Sequence, residues 1–139
     1  MSNASCIFCK IVKGVIPARK LAETERSIAF LDVGPLSKGH TLVIPKEHGE
    51  FLHNLSDASL ADLLPLAKRV AKSLPGGPGQ YNILQNNGKL AHQVVPHVHV
   101  HVIPKPNAEE GLGVGWPTNE EAAKPEVQDR LLEEMKANM

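Results

Sequence analysis

Three histidines fall within five residues, His97-Val98-His99-Val100-His101, and the run continues into Val102 and Ile103. Alternation of polar and branched apolar residues with period two predicts a β-strand over residues 97–103, with the three imidazoles on one face. At a rise of about 3.3 Å per residue, His97 and His101 stand roughly 13 Å apart along the backbone, whereas zinc takes nitrogen ligands at about 2.0–2.1 Å. One metal ion therefore does not gather all three rings. Ser, Thr or Lys would serve equally on a merely solvated strand face, so side chains that titrate near neutral pH point to chemistry. His99 is the geometric centre, and a neutral imidazole is a competent nucleophile. A phosphorus electrophile fits better than an acyl group, because no Ser or Cys elbow is present and the flanking rings can donate to phosphoryl oxygens. The sequence contains neither G-x-x-x-x-G-K-[ST] nor G-x-G-x-x-G, which removes P-loop and Rossmann readings.

A second candidate is the C-x-x-C pair Cys6 and Cys9, which reads as a disulfide, a redox dithiol or half of a metal site. A chain that is 42% hydrophobic needs no covalent staple, so reduced thiols or a metal lead. His40, His48, His53 and His92 complete the seven histidines, and His53 and His92 read as surface residues.

These groups must be positioned by a small set of elements. Ile7, Phe8, Ile11 and Val12 recur at helical spacing before Gly14, giving a short helix over residues 6–13 with the two cysteines one turn apart. Residues 18–22 and 27–32 flank a polar turn and read as a strand pair; a Gly- and Pro-rich loop then delivers His40 to a third strand over 41–44. From Ser56, a plausible N-cap, Leu60, Leu63, Leu64, Ala67, Val70, Ala71 and Leu74 form one apolar stripe, the clearest helix in the chain. Pro65 inside it would cost about 3 kcal/mol in a regular helix, so a kink or a late start is expected. A fourth strand covers 81–85, a polar loop 86–93, and after Pro104 an irregular arm leads to a short helix opened by Pro125. One long helix beside about five short neighbouring strands gives an α+β fold, an antiparallel sheet with the helix on one face and the other face free for a ligand.

At 139 residues the chain holds one domain, taken as residues 1–117, with a tail at 118–139. Fifteen Lys and Arg balance fifteen Asp and Glu, so there is no basic field to gather nucleic acid or an anionic membrane. No apolar run approaches the ~18–20 residues that span a bilayer, and no secretory signal opens the sequence. A reducing interior compartment, cytoplasm and nucleus, is expected.

The run from His97 to Ile103 resembles the motif of the histidine triad superfamily. Residues 6–11, 29–33, 39–48 and Gly115-Trp116-Pro117 are similar to its nucleotide-binding branch, and residues 85–95 look most like fungal members that hydrolyse adenosine 5′-monophosphoramidates to AMP and an amine. The resemblance implies that His99 attacks the α-phosphorus and carries AMP transiently, with the backbone carbonyl of His97 orienting its ring. It implies that His101 and Gln93 contact phosphate oxygens, that Asn86 and Val94 line the phosphate pocket, and that His40 supports the triad. Asp32 would bind the ribose hydroxyls, and Ile7, Phe8, Ile11, Phe30 and Val33 would form an apolar cleft for a purine base. At His92-Gln93-Val94 the sequence departs from animal relatives, which have Gly-Gln-Ser, so a Ser hydroxyl contact is missing.

The same resemblance carries a structural zinc site onto Cys6, Cys9, His48 and His97, no cofactor for catalysis, and a homodimer in which Trp116 reaches the partner's active site. Two other readings remain open: a dinucleoside polyphosphate hydrolase of the same superfamily, which generally lacks the cysteine pair and the Trp116 arm, and a nucleotide-binding regulatory or scaffold protein with incidental hydrolysis. In the enzymatic reading, the rate follows groups that titrate near neutrality.

Overall fold

The computed structural model describes residues 3–139, so the first two residues of the expected 1–117 unit lie outside it. Five strands, β1 (Lys20–Glu23), β2 (Ser27–Leu31), β3 (Thr41–Pro45), β4 (Tyr81–Gln85) and β5 (Val100–Pro104), form one sheet in the order β1-β2-β3-β5-β4. Every neighbouring pair is antiparallel. Helices are α1 (Ile7–Val12), α2 (Asp57–Lys72) and α3 (Pro125–Asn138). Among the described residues, no helix is long and apolar enough to cross a membrane.

Alternation along the strands divides the interior into two parts. Ala29, Val43, Val100 and Val102 face α2 and pack with Leu63, Leu66, Ala67, Val70 and Ala71. Ile28, Phe30, Leu42 and Ile44 point the other way and meet Cys6, Phe8 and Cys9 of the α1 segment. With both faces covered, β2 and β3 read as continuous apolar runs rather than alternating ones. The register pairs Phe30 with Leu42, Leu42 with His101 and His101 with Leu84, which fixes His101 on the α1 face.

Helix α2 starts at its N-cap, where Ser56 Oγ accepts from Ser59 N at 3.2 Å, and it continues through Pro65, so the late start is not observed. Ala61, whose carbonyl Pro65 leaves without a helical partner, is exposed, as is Pro65 itself, so water can satisfy the freed acceptor. The fifth strand begins at Val100, three residues later than the alternation predicts. Pro96 offers no N–H, and the next donors bond elsewhere: His97 N to Val95 O at 2.9 Å and Val98 N to Gly49 O at 2.8 Å. His97 and His99 therefore stand on irregular backbone leading into β5. Helix α3 forms behind Pro125 and buries none of its side chains.

Candidate active site

Between α1 and the open face of the sheet lies a cleft of about 1000 Å³. Its wall includes Ile7, Phe8, Ile11, Phe30, Asp32, Val33, His40, Asn86, Val94, His99 and His101, eleven of the residues expected there. Hydrogen bonds assign the proton on each central ring. His99 Nδ1 lies 2.7 Å from His97 O and must donate to it, which leaves the Nε2 lone pair free. His40 Nδ1 accepts from Leu36 N at 3.0 Å, so the proton of His40 is on Nε2, 2.9 Å from His101 Nδ1. His101 accepts there and therefore carries its own proton on Nε2. His99 and His101 pack with ring centroids 4.9 Å apart, so a lone pair and an N–H stand side by side on the cleft wall.

Burial lowers the pKa of His99 and, opposed by the nearby Asp32 carboxylate, that of His40. It lowers His101 to about 4. The cluster is consequently neutral at pH 7, the state a nucleophilic imidazole needs. Asp32 Oδ1 accepts from Gly34 N at 2.8 Å, and its Oδ2 lies 3.4 Å from His40 Nε2. Asp32, His40 and His101 lie close enough to suggest a cation site. The His40 proton decides against it, since moving it would leave the Leu36 N–H without an acceptor.

His97 belongs to a different cluster. Its ring is fully buried and lined up by Nε2–H donating to Pro45 O at 2.9 Å, which turns Nδ1 toward Cys6 Sγ (3.3 Å), Cys9 Sγ (3.6 Å) and His48 Nδ1 (3.2 Å). Cys9 Sγ lies 3.4 Å from His48 Nδ1. Tetrahedral zinc with bonds of about 2.0–2.3 Å would set ligand atoms about 3.2–3.8 Å apart, so these four separations suit that ion, and all four ligand atoms lie within 4.8 Å of one another. Asn3 N and Cys9 N donate to the sulfurs at 3.3 and 3.4 Å, and the Pro45 carbonyl holds the His97 tautomer, the outer support a metal site uses. Burial pushes the Cys9 thiol pKa up, and a bound cation would reverse this by taking the place of the proton.

Two expected residues lie elsewhere. Gln93 is not on the cleft wall: its side chain accepts from Gly88 N (2.7 Å) and donates to Glu50 O (2.7 Å) and Val95 O (3.1 Å), so it ties the loop together instead of facing phosphate. Trp116 is 84% exposed and outside the cleft, beside Pro117 and Gln128. Conversely, Ile16, Pro17, Ala18, Arg19, Leu84, Val95 and Leu112 line the cleft without having been expected, and His92, read as a surface residue, lines it too. Only Leu84 had a usable signal, its place opposite the histidine strand.

The HIT domain pattern matches residues 13–108. The chain belongs to this family. Among HIT proteins, it is 68% identical over 114 residues to the adenosine 5′-monophosphoramidase hnt1 of Schizosaccharomyces pombe, which covers 82% of this chain and 84% of the relative. The crystal structure of the histidine triad nucleotide-binding protein of Candida albicans superposes with a TM-score of 0.85 at 47% identity, over 97% of this chain and 100% of that one. A Zn-bound histidine triad family protein of Mycobacterium smegmatis matches with a TM-score of 0.70 at 33% identity, over 97% and 98% of the two chains.

Proposed function

We propose that this chain hydrolyses adenosine 5′-monophosphoramidates to AMP and an amine through a nucleotidyl-histidine intermediate on His99. The observation that carries this reading is the His99 Nδ1–H bond to His97 O, which leaves Nε2 as a neutral lone pair on the cleft wall. Attack by Nε2 on the α-phosphorus breaks the P–N bond. The departing nitrogen takes its proton from solvent water, because neutral His101 would be left as an imidazolate if it gave up its one N–H; that N–H instead donates a hydrogen bond to a phosphoryl oxygen. Water then attacks phosphorus, its oxygen stays with AMP, its proton passes to solvent and balances the one taken by the amine, and the electron pair of the P–N bond to His99 returns to Nε2. Asp32, with one oxygen held by Gly34 N, can accept from ribose hydroxyls, while Ile7, Phe8, Ile11 and Phe30 take the apolar base. The S. pombe relative's name supports the substrate class. Rapid quench of the wild-type enzyme with an adenosine phosphoramidate, followed by peptide mass mapping, should place AMP mass on His99; an adduct on another residue overturns the reading.

The pH dependence follows from burial. A base whose pKa is lowered stays neutral as the pH falls through its ordinary value near 6.5, so kcat/KM should be level across neutrality and decline only below that value. This moves the titration expected near neutrality to the acid side. A pH profile with its acid limb at or above 6.5 contradicts it.

Cys6, Cys9, His48 and His97 would hold a zinc ion that contributes to the fold, supported by the ligand spacing and the Zn-bound relative. The chemistry at His99 requires no cofactor. The free thiols favour a reducing compartment, cytoplasm or nucleus, as the place of action. Pairing of two copies is supported by the outer strand β4, whose Tyr81 and Ile83 are 39% and 45% exposed, and by the unpacked Trp116. Light scattering should give twice the mass of 15.0 kDa. Trp116→Ala should keep that mass and change the preference between bulky and small amine leaving groups; unchanged preference contradicts the arm's role.

A further inference from the structure

The segment from Asn3 to Ile16 carries α1 and supplies one wall of the cleft through Ile7, Phe8, Ile11 and Ile16. Its backbone bonds are internal: Cys6 N to Asn3 O, Lys10 N to Cys6 O, Lys13 N to Cys9 O, and Val15 and Ile16 N to Lys10 O. Among the described residues, every hydrogen-bond-range contact from this segment to the rest of the protein passes through two sulfurs. Cys6 Sγ meets His97 Nδ1 at 3.3 Å, and Cys9 Sγ meets His48 Nδ1 at 3.4 Å and His97 Nδ1 at 3.6 Å. Six residues are far fewer than the ~12–15 at which an isolated helix persists, so α1 holds its place only through these anchors and its apolar packing. Phe8 is buried in that packing, edge-on to Phe30, His97 and His99 with centroids 5.8, 5.7 and 5.2 Å apart. The α2 side of the sheet has its own core with no α1 residue in it.

We infer that zinc at Cys6, Cys9, His48 and His97 sets nucleotide affinity, because the ion clamps α1 against the sheet and so completes the wall that receives the base. The inference rests on the reading of the cleft as an adenosine nucleotide site. Cys6 and Cys9 are then positioning residues for binding. The reacting groups depend on the metal much less: His101 is set by β5 and His40, and His97, whose carbonyl orients His99, is also held by Pro45 O. Loss of the ion should therefore raise KM and the AMP dissociation constant while changing kcat little. Coupling of two binding events is reciprocal, so AMP must tighten zinc by the factor by which zinc tightens AMP.

The test uses the full wild-type chain, zinc-loaded and chelator-stripped. Calorimetry should show AMP binding about tenfold or more tightly to the loaded form. Competition with a chromophoric chelator should show zinc held more tightly, by the same factor, at saturating AMP. Hydrogen exchange in the stripped form should accelerate over Ile7–Val12 and leave α2 protected. A Cys6→Ser, Cys9→Ser double variant should behave as the stripped form, with added zinc restoring nothing. Equal AMP affinity in the two forms overturns the coupling, as does purified protein that takes up no zinc. Exchange that rises in α2 as well also overturns it, since the metal would then hold the whole fold. AMP binding to neither form overturns the nucleotide reading of the cleft, and the coupling with it.

Discussion

His99→Ala is expected to lower turnover by at least ~10³-fold while AMP still binds, because no neighbouring ring can replace the lost lone pair. His101 carries its proton on the nitrogen that faces the cleft, since its Nδ1 accepts from His40. His40 has its lone pair committed to Leu36 N, and His97 turns its own toward the cysteines. The apolar wall and Asp32 are untouched by the substitution, so ground-state binding has little reason to change. Single-turnover rates together with AMP calorimetry check both halves. Wild-type turnover, or AMP binding lost in parallel with activity, would contradict the assignment. His99→Gly should regain part of its rate from added imidazole, which occupies the vacated space with a neutral base.

The second large effect is expected from His40→Ala, with kcat reduced by about 10²-fold and KM changed much less. His40 touches no reacting atom in this scheme; it acts by holding the His101 tautomer. Without the Nε2–H donor at 2.9 Å, His101 can move its proton to Nδ1 and present a lone pair where the phosphoryl oxygen needs a hydrogen-bond donor. The wrong tautomer in otherwise intact geometry is a costly defect of this kind in other enzymes. Removing the ring also strips the acceptor from Leu36 N, so stability should fall by about 1–3 kcal/mol. His40→Gln, which can both accept and donate, should recover part of the kcat. Kinetics and thermal melting separate the two consequences; a wild-type kcat in His40→Ala would show that the His101 tautomer does not limit the reaction.

The sequence already contained the central chemistry: His101 reaches the cleft on β5 as the period of two requires, and His99 reaches it from the irregular backbone just before that strand. His97 escaped that logic because Pro96 interrupts the ladder, and its ring serves the cysteine cluster while its carbonyl serves His99. The cysteine pair was legible as one turn of a helix, but His48 entered only through resemblance, since nothing in a sequence measures distance across β3. Proton positions were out of reach altogether, as they follow from the partners Leu36 N and His97 O. Gln93 was assigned to phosphate through resemblance alone, whereas its amide is consumed by the turn around Gly88. The unexpected wall residues from Ile16 to Arg19 are mostly apolar loop positions that no periodicity marks.

His92 is the one described residue other than glycine with a positive φ, at 68°, and it sits at the mouth of the cleft. That backbone favours glycine, although histidine is among the side chains that tolerate it better than most. Glycine would fit the same turn with no change in its path, so the loop does not depend on the imidazole for its shape. This corner can accordingly exchange its side chain, ring for hydrogen atom, without disturbing Gln93 or the strand behind it. The rim of the cleft is thereby separable in design from its floor: one can vary while the other stays fixed.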